Sequence, residues 1–554
     1  MPKVRSRLPV AVLALLLVAL SLNLNTNAQR SAIDTYAITN ARLVTVSGPV
    51  IERGTVVIRN GLIVVAGVNV SAPPDARVID GTGLTVYPGL IDSYTNLGLP
   101  EPSPTPSPGG GLAALLPLPS SSPRGGPNST QPPGLQPELM AEDAIQTSGN
   151  EIEAWRSIGI TTALTSPRTG VWMGQSALID LSGETPQQMI VRSPVAMHVG
   201  FTPLRGIYPG SLLGVFSTLR QMMLDAQRYR DSMAIYERNP RGTRRPDTDR
   251  SLAALIPVVD GRMPVVMLVN TEREITRALD LASEFKLRLI IAGGREADRV
   301  AERLAKQNVP VLLSLNLPKR TTPAMAEVDP EPMRVLRERV EAQQTAGKLL
   351  KAGVRFSFQS GSLTDTADLM ANARRVIENG LPAADAVRAF TIWPAQILGV
   401  ESQLGSIEPG KIANLTVTRG DLFARDTRIA HVFIDGRPVD LKPPTGGPSR
   451  NLLSGAWSVN VNLGSRDTSI TLNLRQEGDR LTGSISGPLG AGEISNASVT
   501  SAGEVRFTVS VNVEGQTSEA TFAGTLANNE IRGSVTIVGS SPGTFTATRS
   551  GQPN

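Results

Sequence analysis

The hydrophobic period changes three times along the chain. Residues 37 to 88 carry short apolar runs separated by turn residues: Ala37 to Val46, Gly54 to Arg59, Leu62 to Val68 and Ala76 to Asp80. Each reads as a strand, and Asn60-Gly61 marks a hairpin. From Pro137 onward, buried apolar runs alternate with amphipathic stretches. The spacing predicts helices over Leu139 to Ile158, Ser217 to Arg238, Glu272 to Phe285, Arg295 to Gln307, Thr366 to Asn379 and Ala383 to Ala389. It predicts strands over Thr161 to Ser166, Pro264 to Val269, Leu287 to Ala292, Val309 to Leu315 and Val354 to Phe358, with a loop and strand over Gly170 to Leu181 and a polar, basic loop over Asn239 to Arg250. Strands and helices alternating at this pitch predict parallel βα units, here a TIM-like (β/α)8 barrel. Residues 452 to 549 return to strict alternation, as in Trp457, Val459, Val461 and in Val505, Phe507, Val509, Val511. Three pieces repeat one small pattern: Leu481-Thr-Gly-Ser-Ile485, Phe522-Ala-Gly-Thr-Leu526 and Ile531-Arg-Gly-Ser-Val535. This predicts a C-terminal all-β domain, a small barrel or sandwich serving either assembly or ligand holding.

Three stretches have no such period. Residues 100 to 137 are rich in Pro, Gly and Ser, with one apolar island at Ala113 to Leu118, and are expected to be a disordered insertion. Residues 443 to 451 read as a linker. Met1 to Arg7 carries Lys3, Arg5 and Arg7, an apolar run from Pro9 to Leu22 follows, and Thr26-Asn27-Ala28 closes it. Residues 1 to 28 thus predict a signal peptide, hence export to the periplasm or outside the cell. The apolar run is short for a span, so no stable membrane span is expected after cleavage. Losing those three cations lowers the formal net charge from +5 to +2, so no nucleic-acid partner is implied. With no cysteine, disulfides and thiolate metal sites are excluded. There are two histidines, His198 and His431. Nucleophiles that depend on a paired base therefore have few partners, and no phosphate-cradling glycine loop is present.

Two motifs resemble the amidohydrolase superfamily, in particular its exported, imidazolonepropionase-like members. Pro88-Gly-Leu-Ile-Asp-Ser-Tyr-Thr-Asn96 is similar to the first metal-binding strand, Pro-Gly-Leu-Ile-Asp-x-His-x-His, with Tyr94 and Asn96 in place of the histidines. Thr391 to Gly399 and Leu404 to Leu415 resemble the closing segment, in which the usual Gly-Lys-x-Ala-Asp-Leu becomes Gly410-Lys-Ile-Ala-Asn-Leu415, with Asn414 for the Asp. The resemblance implies a composite β-sandwich from residues 37–88 and 396–442 around a barrel of residues 89–395. It also implies metal-assisted hydrolysis of C–N bonds, with histidines after the fifth and sixth strands and an Asp after the eighth.

Those positions are occupied otherwise. Pro264 to Asn270 places Leu268 and Asn270 at the fifth-strand ligands, the sixth strand offers Gly293, and the eighth offers Gly361. No histidine lies between His198 and His431. No catalytic residue is therefore assigned, and Asp92, Tyr94, Asn96, Asn270 and Gln359 are the pocket candidates. No cofactor is expected. The alternative is one divalent metal, zinc or magnesium, on an oxygen-rich set of Asp92, Asn96, Asn270 and Gln359, although one carboxylate among amides brings little charge. His198 reads as structural or as a pocket wall, His431 as structural, and Glu296 and Asp298 as a solvated helix start. The expected function is a metal-depleted, non-catalytic binding protein or partner subunit, in a homo-oligomer or with an intact paralogue, or holding a small-molecule ligand. The alternative is a hydrolase of C–N bonds with an atypical or partner-supplied site.

Overall fold

The computed structural model describes residues 35–100, 131–319 and 331–441, apart from Arg205, Ser362 and Thr364, and most of 453–549. The expected leader, residues 101–130 of the insertion and residues 443–451 lie outside the described residues. The chain forms two compact units: Met1–Lys319 with Pro332–Asp440, and Arg320–Glu331 with Leu441–Asn554. No helix among the described residues is long and apolar enough to cross a membrane.

The first unit opens with five strands, β1 (Thr35–Leu43), β2 (Ile51–Arg59), β3 (Leu62–Gly67), β4 (Arg77–Asp80) and β5 (Leu84–Pro88). The β2–β3 turn is Asn60-Gly61, both at positive φ, as the hairpin signal requires. β1 pairs with β2 on one side and with two strands on the other, β4 along Tyr36 to Thr39 and β5 along Arg42 and Leu43. The change of partner falls beside Asn40, at φ 57°.

The chain then passes directly into β6 (Leu90–Thr95), which runs parallel to β7 (Ile160–Thr165). Gly89 is the joint: a Cβ there would lie 2.2 Å from Thr161 Oγ1, so the glycine of the Pro-Gly motif is demanded by close strand approach. Next come β8 (Trp172–Gln175) and β9 (Ala177–Asp180), one stretch interrupted at Ser176. β9 is antiparallel to β7, and β10 (Ile190–Arg192) lies on its other edge. β8 is antiparallel to β11 (Met197–Gly200). From β11 the order is parallel throughout: β12 (Val265–Val269), β13 (Leu289–Gly293), β14 (Val311–Ser314) and β15 (Phe356–Gln359).

Seven strands therefore share one direction, and the β8–β9 stretch occupies the third place reversed. This corrects the expected all-parallel ring. The reason is the connection after β7: only residues 166–171 separate it from β8, far too few for a crossover helix, so the chain must turn back. β15 meets β6 through side chains. Ser93 Oγ donates to the Phe358 carbonyl at 2.6 Å, Ser357 Oγ donates to Ser93 Oγ at 2.9 Å, and the Ser360 N–H donates to Asp92 Oδ1 at 3.0 Å. Ile91, Tyr94, Leu164, Leu178, Val266, Ile290 and Leu312 share one buried cluster inside.

Outer helices follow the amphipathic stretches, at Leu212–Arg238, Glu272–Phe285, Thr366–Glu378 and Ala383–Phe390. Ser211 caps the first through Gly214 N–H, and Thr271 with Glu274 forms a capping box on the second. The expected helix over Leu139 to Ile158 is instead a short turn at Ala141–Ala144 and a helix at Asn150–Ser157, separated at Thr147-Ser148-Gly149. The end of the expected insertion is packed: Leu135 is buried and the Gln136 N–H donates to the Trp172 carbonyl at 3.1 Å. Helices at Arg250–Val259 and Met333–Lys351 add to those expected.

The chain returns through β16 (Leu415–Arg419), β17 (Arg428–Ile434) and β18 (Arg437–Pro438), with β16 antiparallel to β5. Both flanks, as expected from their composite reading, contribute to one eight-stranded sheet, ordered β18-β17-β16-β5-β1-β2-β3 with β4 beside β1. Its core holds Ile38, Leu43, Ile58, Val86, Leu415 and Phe433. Asn414, just before β16, explains the departure from the superfamily's Asp. Its Nδ2 donates to Asp180 Oδ1 at 2.7 Å and to Thr162 Oγ1 at 3.0 Å, while its Oδ1 accepts from the Asp435 N–H at 2.8 Å. Asp180 is buried, which pushes its carboxyl up to about 7, against the lowering pull of the Thr162 and Asn414 hydrogen bonds.

The second unit is a closed antiparallel barrel of eight consecutive strands: β19 (Gly455–Asn462), β20 (Asp467–Glu477), β21 (Arg480–Gly487), β22 (Gly490–Val499), β23 (Glu504–Val513), β24 (Gln516–Ala527), β25 (Glu530–Ile537) and β26 (Gly543–Arg549), with β26 pairing back to β19. Trp457, Phe507, Phe522, Phe545 and the alternating aliphatics form a buried core cluster in its interior. The repeated small motif has a steric cause: a Cβ on Gly483 or Gly533 would lie 2.1 Å or 2.0 Å from the neighbouring strand's carbonyl oxygen.

Candidate functional site

The parallel strands end around one pocket of about 290 Å³. Six of the residues singled out from the sequence line it: Tyr94, Leu268, Asn270, Gly293, Gln359 and Gly361. The wall is completed by residues that sequence reasoning did not single out, among them Arg168, Arg295, Ser314, Asn316 and Thr345. Carboxyl ends of barrel strands are where such folds place their chemistry.

Asn96 does not line this pocket. β6 ends at Thr95, and the chain turns through Asn96 to Leu99, with the Leu99 N–H bonded to the Asn96 carbonyl at 3.0 Å. The two-residue alternation that paired Asn96 with Tyr94 stops where the strand stops. Asp92 lies outside the lining and is fully buried. Its Oδ1 accepts from the Ser360 N–H at 3.0 Å and the Tyr94 N–H at 3.3 Å, and its Oδ2 has no partner. Burial pushes this carboxyl up to about 6, opposed by hydrogen bonds from Ser360 and Tyr94 and by the charge of Arg168.

Tyr94 sits between two cationic or basic groups. His198, on β11, stacks on its ring with centroids 5.4 Å apart, and the Arg168 guanidinium lies 5.5 Å from its centroid. His198 is completely buried, which drives its imidazole down to about 3 and keeps it neutral. Arg168 extends from the loop after β7, donates through Nη2 to the Gly361 carbonyl, and forms no ion pair among the described residues. Arg295 is held by Glu338 at 2.7 Å. Glu296 and Asp298 are held in ion pairs with Arg299 and Lys348, and the Asp298 carboxylate is nearly buried where a solvated helix start was expected. His431 lies on β17, in register with Val417 of β16.

Six buried polar atoms at this end of the barrel have no hydrogen-bond partner among the described residues: Asp92 Oδ2, Tyr94 Oη, Arg168 Nε, His198 Nε2, Gln359 Oε1 and Ser360 Oγ. Each such atom costs about 1–3 kcal/mol when left unpaired, so their concentration here marks a place built for something polar.

The residues present do not fit a catalytic divalent ion. Among the described residues, no group of three or more His, Asp or Glu side chains could hold one. The oxygen set expected as an alternative is dispersed, with Asn270 and Gln359 on the wall, Asp92 outside it and Asn96 turned away. Arg168 places a fixed positive charge on the same wall. Gly293 is at φ +95°, and a Cβ there would lie 2.6 Å from Asn270 Oδ1; Gly361 is at φ +62°, with Gln359 Oε1 2.9 Å away. A histidine or aspartate at either position would be strained.

The fold is a mixed α/β barrel with a polar pocket at the carboxyl ends of its parallel strands. The model of the amidohydrolase family matches residues 267–439. N-acetylglucosamine-6-phosphate deacetylase of Haemophilus influenzae is 38% identical over 58 residues, which is 10% of this chain and 15% of that protein. The match thus spans well under two thirds of the relative. A crystal structure of an amidohydrolase from Thermotoga maritima superposes with a TM-score of 0.60 at 23% identity, over 73% of this chain and 99% of the other. Residues 267–439 thus resemble the amidohydrolase family, and the first unit shares the fold of the Thermotoga protein.

Proposed function

We propose that this chain is an exported member of the superfamily that binds a small polar molecule in the barrel mouth and does not hydrolyse it. The observation that carries this is the rebuilt ligand set: Tyr94, Leu268, Gly293 and Gly361 offer no imidazole or carboxylate, and Arg168 supplies the positive charge on that wall. Export rests on the composition of Met1 to Ala28, and N-terminal sequencing of the secreted chain tests it. Assembly with a second copy or with an intact paralogue is compatible with this role and would be read from the mass of the purified complex.

One feature favours a second reading, a hydrolase of C–N bonds with an atypical site. Asp92 is a buried carboxyl with a free oxygen, raised to about 6, which suits a general base. Elemental mass spectrometry of the purified chain, together with hydrolysis assays on amides and cyclic amides with and without added zinc, separates the two. Less than about a tenth of an equivalent of divalent metal and no turnover supports binding. Stoichiometric metal retained through dialysis, or turnover lost in Asp92→Asn, overturns it.

A further inference from the structure

Resting on that reading of the mouth as a binding site, we propose that its ligand is a small carboxylate bearing an adjacent N–H, anchored by Arg168. Four unmet needs in one pocket define this chemistry. The first is charge. Arg168 has no acidic partner among the described residues, and one of its donors, Nε–H, is buried and unpaired. A guanidinium carries five donors in a fixed fork, of which the Gly361 carbonyl engages one nitrogen. A carboxylate is the planar acceptor that this fork matches, and its charge balances the cation.

The second need is orientation. The guanidinium rests on the Tyr94 ring, and Tyr94 is itself wedged against His198, so the fork is held in place before any ligand arrives. The third and fourth needs are polar. Gln359 spends its amide on the Leu312 carbonyl at 3.3 Å, which leaves Oε1 as an acceptor without a donor. Tyr94 Oη is buried and also lacks a partner. A ligand that presents an anion to Arg168 and an N–H to Gln359, with a carbonyl within reach of the Tyr94 hydroxyl, satisfies all of them at once. N-acylated amino acids have that arrangement, and the smaller ones fit a cavity of about 290 Å³. Leu268, Leu313, Leu317 and Pro318 give the acyl or side-chain end an apolar wall.

The test is calorimetric titration of the purified full-length chain with N-acetylglycine and N-acetyl-L-leucine, each against its carboxamide. The carboxylates are expected to bind and the carboxamides to bind about 10- to 100-fold more weakly, the range for losing a charge-assisted hydrogen bond. Arg168→Gln is expected to lose the same factor, and Arg168→Lys to lie between, because it keeps the charge and loses the fork. Melting of each unliganded variant reports whether it folds, and Arg388→Gln, at a surface pair with Asp385, is the control. Equal binding of acid and amide, binding unchanged in both Arg168 variants, or no saturable binding of either acid overturns the proposal. The metal and turnover assays are independent of this result. An Arg168-dependent carboxylate that is also hydrolysed would sink the non-catalytic reading and leave this one standing.

Discussion

Replacing Asn414 by aspartate restores the residue usual at this position in the superfamily, and the structure says that the change will destabilise this chain. The Asn414 amide donates to Asp180 at 2.7 Å and to Thr162 at 3.0 Å, and both carboxamide and carboxyl are buried. The introduced carboxylate could still accept from the Asp435 N–H, but it would stand directly against the carboxylate of Asp180. Below pH 6 the Asp180 carboxyl, raised to about 7, is protonated and can donate to its new neighbour. The contact then survives with reversed polarity, and the loss should be about 1 kcal/mol. Above pH 7 the wild-type Asp180 ionises while one carboxyl of the variant pair must stay neutral, at about 1.4 kcal/mol per pH unit, so the loss should reach about 2.4 kcal/mol at pH 8. Urea unfolding of Asn414→Asp at pH 5 and pH 8 measures both. Adding Asp180→Asn should recover most of the deficit, since the new amide donates to the new carboxylate. Wild-type stability at pH 8, or a deficit that Asp180→Asn leaves unchanged, would refute the reasoning.

Tyr94→Phe removes a buried hydroxyl without a partner and should raise the unliganded melting temperature, by the equivalent of about 1 kcal/mol; a fall would mean that Oη is bonded. Gly293→His should cost about 2–4 kcal/mol, because it combines positive φ with a close approach to Asn270, and even with Tyr94→His and Asn96→His it should not create a zinc site; stoichiometric zinc in that triple variant would refute the strand assignment. Stability should fall as pH rises from about 4 to about 6. Asp92 and Asp180 keep protons in the native state up to about 6 and 7, whereas in the unfolded chain they release them near ~3.9; His198 works the other way, because the unfolded chain protonates it below ~6.5 and the native state only near 3. Two against one leaves the native state with about one extra proton in that window, hence a slope near −1.4 kcal/mol per pH unit from these three groups, read from urea midpoints.

Much of the barrel was legible because its strands are buried apolar runs and its helices are amphipathic with clear caps, as at Thr271 and Glu274. The reversed third strand was not, since period two carries no direction; only the shortness of residues 166–171 hints at it. The helix at Met333–Lys351 escaped because it is strongly polar, with Met333, Leu336 and Val340 exposed and its inward face made largely of Ala, Thr and Gly. Within the pocket, the positions named from the motif came together wherever a strand carried them to its end. Asn96 failed because β6 stops one residue earlier. Arg168 escaped because a single arginine in a Pro/Gly-containing loop has no periodicity and belongs to no metal-ligand spacing.

The residues at the mouth are coupled to one another sterically. Asn270 occupies the space that a side chain on residue 293 would need, and residue 293 is a glycine at positive φ. Gln359 stands in the same relation to Gly361, and the Gly361 carbonyl holds Arg168, whose guanidinium covers Tyr94. A side chain at residue 293 or 361 therefore meets its polar neighbour at close range. Random loss of ligands would leave cavities or neutral side chains behind. Here a cation, an amide and a phenol line one cavity with hydrogen bonds unfinished, which is the condition of a pocket shaped around a ligand.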